Sequence, residues 1–93
     1  MTELLAMFKK SIGDLSADTS LDEYYTGFLN MATAQLSAED ISESVLATEL
    51  GQFATVLCAR LLMDGQSTAD NSTLNLLRTL LSAQTKGERH DNR

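Results

Sequence analysis

The residues able to do acid–base, nucleophilic or metal chemistry in this chain are few: one histidine, His90, one cysteine, Cys58, and two adjacent carboxylate pairs, Asp22-Glu23 and Glu39-Asp40. His90 falls in ERHDNR, a stretch with no apolar residue, so neither a Ser-His-Asp nor a Cys-His arrangement has a positioned base. Paired carboxylates would suit a hydrolase if they flanked a cleft. Each pair here follows a serine, Ser20 or Ser37, at the start of an apolar periodic run, where negative charge complements the amino end of a helix dipole. Capping therefore explains both pairs. No Cys/His ligand spacing is present, and the run from Asp64 to Asp70 lacks the alternating oxygen ligands and terminal glutamate of a calcium loop. The glycines stand singly, so neither a dinucleotide fingerprint nor a phosphate loop can be drawn through them. The expectation is a protein that is not an enzyme, with no metal, no cofactor and no small-molecule substrate.

The elements that would carry these residues read as helices. The 93 residues contain no proline and are rich in Leu, Ala, Met, Glu and Gln, and 43% apolar with 22% charged residues is the balance of a globular chain. Leu4, Leu5, Phe8, Ile12 and Leu15 repeat at helical spacing and predict a first helix over 2–13. Ser20 and Glu23 form a capping-box pair ahead of a second helix over 21–36, with Leu21, Tyr25, Phe28, Leu29, Ala32 and Leu36 facing inward. Gly27 inside it costs about 1 kcal/mol relative to alanine, which predicts another backbone passing close.

Ser37 reads as the cap of a third helix over 38–63 that ends at Asp64-Gly65. At 1.5 Å per residue it would run roughly 37 Å. Its wheel places Leu46, Leu50, Phe53, Leu57 and Leu61 in one stripe, flanked by Ala47, Ala54, Cys58, Val56 and Met63. Only a wedge around Thr48, Gly51, Gln52, Thr55 and Ala59 lacks large apolar groups. Such a helix has to be surrounded, so it is expected at the centre. A fourth helix over 72–86, capped by Asp70 or Asn71, carries Leu74, Leu76, Leu77, Leu80 and Leu81, and residues 88–93 are expected as a disordered tail. The fold class is thus all-α, a small four-helix bundle in one domain, 1–87.

The stretch VLATELGQFATVLCARLLM, Val45 to Met63, is apolar, yet Glu49, Gly51, Gln52 and Arg60 make membrane insertion unfavourable by several kcal/mol. No secretory signal is visible at the N-terminus, and the single cysteine, unable to form an intrachain disulfide, suits a reducing compartment, so a cytoplasmic location is expected. The triplet Asn71-Ser72-Thr73 matches a glycosylation acceptor by pattern alone.

Charge says more than any motif. Eight acids and no base lie between Ser11 and Ala59, and the formal net charge is −6. Nucleic acid needs a clustered basic face, so the folded body is not expected to bind it. The surplus apolar girth of the third helix predicts pairing with a second copy across a two-fold axis. Tyr24 is expected at the rim and Tyr25 in the core, since adjacent helical residues point about 100° apart. The expected protein-binding residues are Tyr24, Phe53, Val56, Leu57, Arg60 and Leu61. The functional expectation is a non-catalytic interaction module, a bacterial-type regulator, adaptor or secretion chaperone acting as a homodimer and on another protein, one with a basic surface fitting best. The alternative is an acidic mimic of DNA that inhibits a nucleic-acid-binding protein. The segment LLMDGQSTADNSTLNLLRTLL, about a quarter of the chain, resembles small enteric regulators of the YmgB type. The helix ahead of Gly65 departs from that pattern, and no function is carried over.

Overall fold

A computed structural model describes residues 2–15 and 17–91, and every regular element among them is helical. The first helix, α1 (Thr2–Ser11), buries Phe8 completely and packs Leu4, Leu5 and Met7 against the core. It closes at Gly13, whose φ of +83° lets the Asp14 amide reach back to the Lys9 carbonyl at 2.8 Å. Leu15 lies beyond that closure and is 81% exposed, so it is not an inward residue.

The second helix, α2 (Asp22–Ala38), buries Tyr25, Leu29, Ala32 and Leu36 as the spacing predicts, whereas Leu21 is exposed and Phe28 half-buried. The capping box does not form. Asp18 takes both the Ser20 amide, at 2.9 Å, and the Ser20 hydroxyl, at 3.0 Å, and Leu21 caps the helix with no side-chain bond. A carboxylate two residues upstream wins the serine because that turn closes with almost no chain to order. Ser37 is likewise no cap, since α2 continues through it. The chain reverses at Asp40, whose φ of +67° is one that aspartate tolerates better than most residues.

The expected helix over 38–63 is two helices, α3 (Glu43–Leu46) and α4 (Glu49–Met63). Ser42 caps the first by accepting from the Val45 amide at 3.3 Å. Thr48 caps the second by accepting from the Gly51 amide at 3.2 Å, and its hydroxyl donates to the Val45 carbonyl at 2.6 Å. Hydroxyls that satisfy amide donors at both starts make the break inexpensive. Gly51 makes it possible, because a Cβ there would run into the Val45 carbonyl and the Leu46 backbone.

Helix α4 is central as expected: α1, α2, α3 and α5 all pack on it. The face that it buries is shifted from the expected one: Leu61 and the flanking Ala54, Val56 and Cys58 are inside as expected, but so are Gly51, Thr55 and Ala59 of the wedge. Leu50 and Leu57 are half-buried and Phe53 is 53% exposed. A helix hemmed in by four others is approached most closely where its side chains are small, and close approach is what fills an interior to its usual density. At its end, Gly65 (φ +69°) allows the Gln66 amide to bond the Leu61 carbonyl at 2.9 Å.

Asn71 caps the last helix by accepting from the Leu74 amide at 2.9 Å. That helix, α5 (Ser72–Asp91), buries Leu74, Leu77, Leu81 and Thr85 and leaves Leu76 and Leu80 outside. The helix runs past Gly87 to Asp91. The Ser44 hydroxyl donates to Glu88 at 2.6 Å and holds that last turn to α3. Residues 92 and 93 lie outside the described part of the chain. Thr85 joins the same two helices from inside: its hydroxyl accepts from the Ser42 amide at 3.1 Å and donates to the Leu81 carbonyl at 3.0 Å.

Candidate interaction surface

The six expected protein-binding residues do not form one patch. Val56 and Leu61 are core residues of the single chain, Leu57 is half-buried, and Arg60 is exposed at the far end of α4. Phe53 borders a shallow hollow of about 280 Å³ with Met7, Lys10, Ser11 and the edge of Val56. Tyr24 belongs to a second hollow, of about 310 Å³, on the outer side of α2, lined by Glu23, Tyr24, Gly27, Phe28 and Met31. The two hollows share no lining residue.

The α2 surface follows from its composition. Tyr25 is buried and its hydroxyl donates to Asp14 at 3.2 Å, and burial together with that bond pushes its pKa up. Tyr24, one position earlier, is then turned outward and is 55% exposed, with Phe28 edge-on to its ring at 5.0 Å. Met31, 54% exposed, stands one further turn along. It was absent from the sequence expectation because a single methionine among small polar residues carries no periodic signal of its own. From Tyr24 to Ala38 the helix has no charged residue. No described atom outside the helix lies within 4 Å of where a Gly27 Cβ would stand, so the expected backbone passing close to Gly27 is not found within the chain.

Both ends of α2 are tied by cations from other helices. Lys9 of α1 pairs with Asp22 at 2.8 Å and also donates to the Asp18 carbonyl at 3.2 Å, and the Asp22 carboxylate holds the ammonium above its ordinary pKa. Arg78 of α5 places Nε 2.9 Å from Glu39, an ion pair by distance whose N–H is not aimed along the contact. Its terminal nitrogen donates to the Thr68 carbonyl and to Asn75. Glu39 therefore sits at the carboxyl end of α2, where the dipole disfavours an acid and a cation offsets it. It is not in a first helical turn, and only Asp22-Glu23 keeps the dipole role that the sequence suggested. Two of the eight acids between Ser11 and Ala59 are thus paired with cations from outside that segment.

Cys58 is fully buried, its thiol donates to Gln35 at 3.4 Å, and burial raises its pKa, which keeps the thiolate population low. Among the described residues no three His, Cys, Asp or Glu side chains gather as metal ligands would, and no helix is long and apolar enough to cross a membrane. No protein-family model, curated protein or solved structure matches the chain.

Proposed function

We propose that this chain is a small acidic, non-catalytic protein–protein interaction module, a regulator, adaptor or secretion chaperone of bacterial type that works as a homodimer and engages another protein. The observation that carries the reading is the outward display of large apolar side chains in clusters, Phe53 beside Met7 and Tyr24 beside Phe28 and Met31. Scattered exposed leucines are ordinary on a soluble protein, and what supports the reading is that these large apolar side chains stand together in two small clusters. Mimicry of DNA is the weaker reading, because Lys9 and Arg78 already neutralise Asp22 and Glu39. A regulator read from its surface needs no membrane span, and a cytoplasmic setting suits the buried free thiol of Cys58.

The test compares the wild-type chain with Phe53→Asp as immobilised baits in quantitative cross-linking pull-downs from a bacterial extract. Phe53 is half in water, so the substitution should leave helical circular dichroism unchanged. A protein retained by the wild type and lost by Phe53→Asp supports the module. Identical captured sets from the two baits, with both folded, would remove Phe53 from the account and leave the reading without its main support.

A further inference from the structure

We propose that the outer face of α2 is the self-association surface of the chain, two copies packing antiparallel along α2 with Met31 of one copy filling the notch at Gly27 of the other. This rests on the reading of the chain as an interaction module and assigns the second copy to a helix that the sequence did not favour.

Gly27 is the starting observation. A glycine inside an exposed helix is destabilising, and within the chain it makes no close approach that would require the missing side chain. The hollow around it is bordered by the two most prominent apolar groups of the helix, Tyr24 and Met31. The exposed positions Tyr24, Gly27, Met31 and Ala34 follow the 3-4-3 spacing by which one helix presents a seam to another.

Self-pairing fits this seam in size. An antiparallel pair centred at the level of Leu29 sets Met31 against Gly27 and Tyr24 against Ala34, so each large side chain meets a small one, twice over, by symmetry. The same register places Glu23 opposite Gln35 and not opposite another acid. Charge singles out the same face. Two chains that each carry −6 repel, and α2 offers fifteen consecutive residues without a charge, Tyr24 to Ala38. A helix face of that length covers on the order of 400 Å² per copy, about half of a standard interface, which is the size of a weak, reversible contact and not of an obligate dimer.

Sedimentation velocity from about 1 to 200 µM tests the assignment on the wild type, Gly27→Leu, Met31→Glu and Phe53→Glu. The expected result is a wild-type dimer that Gly27→Leu and Met31→Glu weaken at least tenfold and Phe53→Glu leaves intact. Gly27→Leu separates the proposal from a purely structural role, because filling an empty notch with a better helix former should raise the thermal midpoint of the dilute chain while it breaks the pair. Asn30→Cys, close to the axis, should oxidise to a covalent dimer, with Cys58 buried and silent. A wild type that stays monomeric at the highest concentration overturns the proposal. So does a dimer that Phe53→Glu abolishes and the α2 variants leave alone, an outcome in which the module reading survives and the α2 assignment does not.

Discussion

Replacing a helical glycine by alanine should have opposite signs at two places in this one molecule. At Gly27 the added methyl meets no described atom outside its own helix within 4 Å, so the change removes unfolded-state freedom and strengthens the helix at no steric cost. The expected gain is about 0.5–1 kcal/mol. At Gly51 the same methyl is driven into the Val45 carbonyl and the backbone of Leu46, neighbours that cannot rotate away as a side-chain tip could. Overpacking costs typically 1–3 kcal/mol and lies at the upper end against backbone, so after the propensity gain a net loss of about 2 kcal/mol remains. For a domain of this size each kcal/mol moves the thermal midpoint by roughly 4–8 °C. Gly51→Ala should therefore melt at least about 8 °C below the wild type, and Gly27→Ala a few degrees above it. The assay is circular dichroism at 222 nm, by heat and by urea, at about 1 µM so that association does not contribute. A Gly51→Ala variant as stable as the wild type would mean that α3 does not lie against the start of α4. A destabilised Gly27→Ala at that dilution would mean that the glycine has a partner within the chain.

Thr85→Val keeps the shape of a buried residue but strips the acceptor from the Ser42 amide, and should cost about 1–3 kcal/mol in urea unfolding, against about 1 kcal/mol for loss of the Thr48 cap in Thr48→Ala. If the two variants lose equally little, the Thr85 link between α3 and α5 is not formed. Stability should fall on the alkaline side. The contribution of Lys9 is complete below its ordinary 10.5 and is lost as pH rises through its raised folded value. Tyr25, ordinarily 10.0 and also raised, keeps its proton in the fold after the unfolded chain begins to lose it, and acts in the same direction. Urea midpoints measured upward from neutral pH should drop beyond about pH 10 and flatten in a Lys9→Met, Tyr25→Phe double variant; a rise there would contradict both contacts. Self-association should strengthen on going from 0.05 to about 0.5 M salt, as screening relieves repulsion between two acidic copies. Weakening with salt would instead indicate a contact held by opposite charges.

Much of the helical content was legible because its signals are local. The spacing of Tyr25, Leu29, Ala32 and Leu36 points one way on α2, and Gly65 and Asn71 end α4 and start α5 where their backbone preferences say they should. The split of the third helix was legible only in part. Thr48-Glu49 and Ser42-Glu43 are respectable helix starts, but the unbroken run of helix formers around them is equally consistent with one rod. The shift of the buried face of α4 toward Gly51, Thr55 and Ala59 was not legible from its own residues. Leu50, Phe53 and Leu57 outweigh Gly51, Thr55 and Ala59 on any hydrophobic count, and the outcome turns on how many neighbours crowd the helix, which is a property of the other four. The surface was hardest. A surface proposed on shape and lack of charge has no residue type to announce it, and Met31 and Gly27 stand out only once the structure leaves both uncovered.

The ties at Asp22 and Glu39 come from two different helices, Lys9 from the first and Arg78 from the last. Which side of α2 faces outward is fixed by the buried Tyr25, Leu29, Ala32 and Leu36, and the two partly exposed ion pairs add little to that hold. Removing the first helix would take away both Lys9 and the Phe8 ring, which packs on Tyr25 at 5.4 Å, two contacts that hold the amino end of α2. Loss of α1 should then alter how Tyr24 and Met31 are displayed while both residues stay in the chain.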